Sequence, residues 1–265
     1  MSIATELGRT PQSLFGVSRA VRDGDVNRMT MTLGDGPAAT AALGVLVDDI
    51  LGFTLFHRRG ERDGLVSATL SVDFVRPTGW QGPYLTAEGA VEVLDRDGGL
   101  ASARIVDSAG ALVARGTLWG SFVDGVTQSR PIATEITPAP LSAGASDPTD
   151  ALGGTVESTD SGARLTVPPN QDLVNAIGMM HGGVLTCAHD VAATAAAGGS
   201  MRAASMKVNF FRPVPVDATT VFDATVVRDG RRVCMVRVVA LDAAGRECST
   251  AAVTLRRDPD ASPAC

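Results

Sequence analysis

Residues 175–183 read Asn-Ala-Ile-Gly-Met-Met-His-Gly-Gly, and Asp190 follows His181 by nine positions. Gly182 and Gly183 stand at the start of an apolar run. Two glycines there expose backbone N–H groups and the positive end of a helix. Such donors suit an oxygen that gains negative charge during a reaction; losing one costs about 2.7–4 kcal/mol in comparable chemistry. Carboxylates are the second reactive element. Asp49 follows LGVLVD, and Asp190 sits in TCAHDVAATAAA. A carboxylate in so apolar a setting is costly unless it is paired or used. Asp49 and Asp190 are therefore candidates for a base or nucleophile, against a capping or buried hydrogen-bonding role.

These strings occupy matching places in two copies of one pattern. The first copy opens with 15–21, a turn at Asp23-Gly24-Asp25 and the alternating stretch 27–33, which together read as a hairpin. The second opens with 154–158, a turn at Asp160-Ser161-Gly162 and 163–167. Apolar stretches without strand periodicity follow, at 41–56 and 183–197. Each is long enough for a helix and apolar nearly all round, as suits a helix wrapped by a sheet. A strand ending in Arg-Pro comes next in each copy, at Pro77 and at Pro213. Two long strands split by a glycine turn follow, at 85–94 and 100–106, and at 220–227 and 233–241. Strands at 111–123 and 247–256 close the copies.

Each half thus reads β-β-α-β-β-β-β, a long helix on an antiparallel sheet of about five strands, an α+β fold. The expected units are 12–126 and 151–257, joined by a linker at 127–150 that carries four prolines and no apolar period. A single copy leaves a sheet edge uncovered. Two copies in one chain can pair edge to edge as an intrachain pseudo-dimer.

Composition narrows the function. The 265 residues are 45% hydrophobic and 20% charged, which suits two buried cores and excludes a disordered tail. Lys plus Arg is 23 against 29 Asp plus Glu, a net charge of −6, which argues against a general nucleic-acid or membrane-surface binder. The opening MSIATELGRT lacks the apolar core of a signal peptide. Apolar stretches such as 41–47 are stopped by Asp48 and Asp49, far short of the roughly 18 residues of a membrane span. Cys187, Cys234, Cys248 and Cys265 show no C-x-x-C spacing and read as reduced thiols at a cytoplasmic address. Three histidines without a ligand cluster make no metal site. Gly34-Asp35-Gly36 is a turn rather than a phosphate loop, since no Lys-Ser/Thr follows.

The N-x-x-G-x-x-H-G-G string with its downstream Asp190 resembles the hotdog-fold acyl-CoA thioesterases of the phenylacetyl-CoA and medium-chain acyl-CoA types, here in a tandem, double-hotdog arrangement. The resemblance covers most of 150–257 by motif, and about 12–126 by strand order and the VDFVRP strand. It implies hydrolysis of an acyl thioester to free acid and CoA. No metal or organic cofactor is implied beyond the CoA of the substrate. It further implies that the Asn175 side chain and the Gly182 amide bind the thioester oxygen. A helix carboxylate then activates water or attacks directly, and a Ser or Thr on the next strand orients the nucleophile. His181 either shapes the loop and helix start or acts as a general base.

Helix geometry decides how such a site is assembled. Nine residues along a helix span a rise of roughly 13.5 Å and a turn of about 180°. One helix cannot aim both its first amide and Asp190 at one carbonyl. The donors must come from one half and the carboxylate from the other. Asn175, His181 and Gly182 occur only in the second half; nine positions before Asp49 stands Thr40. The strand hydroxyl that the resemblance places about ten residues before the Pro is Ser67 in the first half, where the second has Ala203. A shift of the alignment would put Ser205 there instead. One mixed site is then complete, with Asn175 and Gly182 from the second half and Asp49 and Ser67 from the first. The other pairs Asp190 with the Thr40 region and reads as impaired.

Other groups have milder readings. His189 reads as a packed helix residue. His57, Arg58 and Arg59 follow the first helix, as a cap or as contacts to CoA phosphates. Arg76 and Arg212 read as strand-end ion pairs or phosphate ligands. The rivals are a thioesterase II-type double hotdog and a non-catalytic acyl-CoA-binding or regulatory module. A hydratase fits less well, because the histidine sits in an HGG turn. The partner is a small acyl-CoA, and assembly of such chains into a homo-oligomer is left open.

Overall fold

Pro11 at the first helical position and a capping box between Thr10 and Ser13 start the first described element, the short helix α1 (Pro11–Leu14); of the strand expected at 15–21 only Val21 belongs to a strand, with an isolated bridge at Val17. In this computed structural model, residues 9–23, 26–33, 40–76, 78–127, 147–198 and 201–257 are described. After α1 come β1 (Val21–Asp23), β2 (Val26–Thr32), a 3₁₀ turn at Thr40–Ala42 and α2 (Leu43–Phe56). The strands β3 (Gly64–Phe74), β4 (Tyr84–Leu94), β5 (Gly98–Asp107) and β6 (Leu112–Val123) complete the first half. The second half runs α3 (Pro148–Leu152), β7 (Thr155–Thr159), β8 (Gly162–Val167), a 3₁₀ turn at Gln171–Leu173, α4 (Gly182–Ala197), β9 (Met201–Phe210), β10 (Thr220–Arg228), β11 (Val233–Leu241) and β12 (Glu247–Arg257). Most of the expected linker, 128–146, lies outside the described residues, as do Gly24, Asp25, 34–36, Pro77 and Cys265; its last residues belong to α3.

The two halves form one sheet of 12 strands in the order β1-β2-β4-β5-β6-β3-β9-β12-β11-β10-β8-β7. The second half repeats the order of the first in mirror sequence, and the halves join where β3 pairs antiparallel with β9, Leu70 opposite Val208. α2 packs on the strands of its own half and α4 on those of its own, and the two helices touch each other. α2 is buried nearly all round, through Leu43, Val45, Leu46, Val47, Ile50, Leu51 and Leu55. Burying each such side chain stabilises the fold by about 1.5–3 kcal/mol.

One detail of the sheet positions a functional group. The register of β3 against β6 shifts between Ser67 and Thr69, leaving Ala68 as an extra residue. Beyond that bulge Leu70, Val72 and Phe74 face the core. Strict alternation would turn Ala68 inward; the bulge turns Ser67 toward α2 instead. β9 carries the same bulge at Ala204, so Ala203 takes the place of Ser67 and Ser205 that of Thr69. The alternative alignment with Ser205 is thereby excluded.

Candidate active site

The site exists because α2 and α4 approach almost to backbone contact. A Cβ on Gly44 would stand 2.9 Å from Thr186 Cγ2 and 3.0 Å from the Gly183 carbonyl oxygen. A Cβ on Gly183 would stand 2.5 Å from Val45 Cα. Only glycine fits at either place. One turn beyond Gly44, α2 carries Asp48 over the first turn of α4. The Gly183 amide donates to Asp48 Oδ2 at 2.8 Å, so a carboxylate from the first half sits on the positive end of the second half's helix. Gly182 leaves room for it, since a Cβ there would lie 2.8 Å from Asp48 Oδ2.

His181 caps α4 and links the two aspartates. Its Nδ1 accepts from the Gly183 amide at 3.0 Å, and its Nε2 lies 3.1 Å from Asp49 Oδ1. In the neutral ring the proton is therefore on Nε2, donated to Asp49. In the charged ring the Nδ1 proton faces Asp48 Oδ2, 3.4 Å away. The side chains of His181, Asp48 and Asp49 are 10%, 10% and 12% exposed. Burial alone would depress the His181 pKa, but Asp49 and Asp48 outweigh it and push it up to about 9. For Asp48, burial raises the pKa, and Asp49 adds to the rise against His181, the Gly183 amide and Ser67.

The two carboxylates are held differently. Asp48 has both oxygens engaged, Oδ2 by Gly183 and Oδ1 by the Ser67 hydroxyl at 3.4 Å. Asp49 has Oδ1 doubly engaged, by His181 and by Gln12 Nε2 at 2.9 Å. Its Oδ2 is buried and has no partner among the described residues. The Gly182 amide likewise donates to no group among the described residues. The halves thus bring to the start of α4 a carboxylate with one unengaged oxygen, and a helix start supplies N–H donors, the two kinds of group a hydrolytic site requires.

Of the residues singled out in sequence, the structure brings Asp49, His181 and Gly182 together across the halves. Ser67 reaches the site but bonds Asp48, a correction to its expected pairing with Asp49. Asn175 stands on the loop before His181, where its Oδ1 accepts from the Ile177 and Met179 amides, each at 3.0 Å. That side chain folds the loop through its oxygen and leaves its Nδ2 as the only group for donation. Asp190 lies in the pseudo-symmetric counterpart. Thr40 donates to its Oδ2 at 2.8 Å and Thr194 to its Oδ1 at 3.3 Å. The pairs His181–Asp49 and Thr40–Asp190 are thus mates, with a hydroxyl in place of the imidazole.

The milder readings also find partners. His189 is buried, bonds Ser249 at 2.9 Å and is held uncharged by burial, its pKa lowered to about 3. Arg59 lies over the Phe56 ring and caps the Phe56 carbonyl, while His57 packs on Phe53. Arg76 pairs with Asp107, and Arg212 donates to the Glu247 carbonyl. The sequence did not single out Asp48 as the partner of the Gly183 amide, nor Gln12. The Asp-Asp pair carried a signal for the first; no motif marked the second.

Comparison with known proteins places this geometry. Residues 171–256 match the model of the acyl-CoA thioesterase N-terminal domain, and residues 11–117 match that of the acyl-CoA thioesterase C-terminal domain. The two domains therefore follow each other here in reversed order. No curated protein sequence matches. Among solved structures, a tesB protein of Mycobacterium avium subspecies paratuberculosis superposes with a TM-score of 0.65 at 12% identity, covering 91% of this chain and 96% of its own. The acyl-CoA thioesterase II TesB2 of Mycobacterium marinum gives 0.61 at 12% identity, covering 96% and 99%. The 12:0-ACP thioesterase of Umbellularia californica gives 0.60 at 16% identity, covering 90% and 100%. These likenesses show the fold, two hotdog units in one chain. With a thioesterase domain model on each half, the chain belongs to the acyl-CoA thioesterase family in its tandem, double-hotdog form.

Proposed function

We propose that this chain hydrolyses acyl-CoA at one composite site, with Asp49 as the general base. The observation that carries the reading is the buried Oδ2 of Asp49, without a partner among the described residues, on a carboxylate whose Oδ1 is held by His181, the residue that caps α4 just before Gly182. Water held on Oδ2 attacks the thioester carbonyl carbon while Asp49 takes its proton. The carbonyl oxygen, now negative, turns to the Gly182 N–H, with the Asn175 Nδ2 as a second donor. Collapse of the tetrahedral intermediate breaks the C–S bond. The CoA sulfur leaves with the proton that Asp49 accepted, so free acid and CoA are the products. Asp48 holds the α4 start in place, and Asp49 and Asp48 together raise the pKa of His181.

Asp190 does not serve a second site in this reading. Thr40 and Thr194 occupy its oxygens, and Ala203 supplies no hydroxyl beside it. No described helix is long and apolar enough to cross a membrane. Cys187, Cys234 and Cys248 are free and buried, which fits a reducing, cytoplasmic setting. The reading is tested by thiol release over a panel of acyl-CoAs, with a single turnover in ¹⁸O-water to detect transfer of label to the enzyme. The expected result is thiol release with the label in the freed acid. Label in the Asp49 carboxylate would instead make it the nucleophile, and no thiol release at all would leave a binding module.

A further inference from the structure

Gln12 enters the site from outside the repeated pattern. It lies on α1, which touches both α2 of the first half and the 3₁₀ turn Gln171–Leu173 of the second. The helix has only four residues, yet it is firmly placed. Thr10 and Ser13 close its start, and Phe15 and Val17 just beyond it are buried in the core. The Val17 amide donates to the Gln12 carbonyl oxygen at 2.9 Å, which fixes the backbone under the side chain. From there Nε2 reaches Asp49 Oδ1 at 2.9 Å and lies 3.4 Å from His181 Nε2.

The consequence concerns the two oxygens of Asp49. Oδ1 receives a donor from α1 and one from the cap of α4, while Oδ2 receives none among the described residues. Two donors converging from different elements fix the carboxylate plane, whereas one would leave it free to rotate about that bond. We infer that Gln12 is a positioning residue, which by holding Oδ1 of Asp49 presents Oδ2 to the attacking water. This rests on the reading of Asp49 as the base. Gln12 touches neither substrate nor water in this role and acts only through Asp49. Misplacing a reacting group by about 1 Å can cost on the order of 10²-fold in rate.

The test uses Gln12→Ala and the nearly isosteric Gln12→Glu, each assayed for kcat and KM from pH 5 to 8, with Asp49→Asn alongside. Gln12→Ala should lower kcat by about 10- to 100-fold with little change in KM. Gln12→Glu removes the donor and adds a like charge at pH 8. As pH falls its new carboxyl gains a proton and can donate to Oδ1 again, so its kcat relative to the unaltered protein should recover toward pH 5. A packing role alone would give a ratio independent of pH. That flat ratio, or a raised KM with unchanged kcat, overturns the inference. Full activity in Asp49→Asn would instead overturn the reading of the base, whereas loss there with fully active Gln12 variants would overturn only the role of Gln12.

Discussion

At the scale of single residues, the two pseudo-symmetric aspartates differ in what burial does to them. Asp190 is buried, and burial pushes its pKa up to about 6 from 3.8, with the Thr40 and Thr194 hydroxyls working against the rise. A raised folded-state value means that this group's contribution to stability is fully present below pH 3.8 and lost as pH rises through 6. The loss amounts to about 3 kcal/mol. Asp190→Asn keeps an oxygen for the Thr40 hydroxyl and removes the buried charge. Its Tm should exceed that of the unaltered protein at pH 8 and approach it at pH 4, as followed by circular dichroism. A lower Tm for the variant at pH 8 would show that the charged form is the stabilising one. Gly182→Ala addresses the other side of the cleft. A methyl group 2.8 Å from Asp48 Oδ2 must displace that carboxylate. We expect kcat to fall by at least about 10-fold, since misplacing a group by about 1 Å can cost on the order of 10²-fold, while an unchanged kcat in a steady-state thiol-release assay would mean that the placement of Asp48 over the α4 start does not matter to the reaction.

At the scale of elements, the crossing of α2 and α4 is the joint on which the site depends. Gly183→Ala puts a Cβ 2.5 Å from the α2 backbone, where no side-chain rotation relieves it. Overpacking of this kind costs about 1–3 kcal/mol or more, so Tm should drop by several degrees in a thermal melt; an unchanged Tm would mean the helices can part without loss. Much of this level was legible in the sequence. The helices at 41–56 and 183–197 were marked by apolar runs without strand periodicity, and β11 was read with its true ends because Gly230 and Gly245 punctuate it. That residues of both halves would meet also followed from spacing, since nine residues of helix cannot fold back on one carbonyl, and His181 does meet Asp49 across the halves. What was illegible depends on tertiary placement. Asp48 and Asp49 differ by one position, about 100° of helix, and only the crossing angle shows which of them meets Gly183 and which meets His181. Gln12 is 37 positions before its partner Asp49, in a four-residue helix too short to show a period and ahead of the repeated pattern that begins at 15.

At the scale of the whole molecule, the site lies where the two halves meet, so its electrostatics also bind them together. His181 belongs to the second half and both its carboxylate partners to the first. Its pKa is raised to about 9, so the stability it adds is complete below pH 6.5 and lost as pH climbs through 9. Tm should therefore decline between those limits, and the decline should be smaller in His181→Gln. The family's C-terminal domain model matches the first half of this chain and its N-terminal domain model the second, and the two halves join where β3 pairs with β9. In this reading the two halves hold one working site, built on Asp49 and not on Asp190. It is tested most directly by kcat at saturating acyl-CoA for Asp49→Asn and Asp190→Asn, each checked for folding. Asp49→Asn should lose roughly 10²–10⁴-fold in kcat, and Asp190→Asn should keep near-full activity. An inactive Asp190→Asn beside an active Asp49→Asn, or equal partial losses in both, would contradict it.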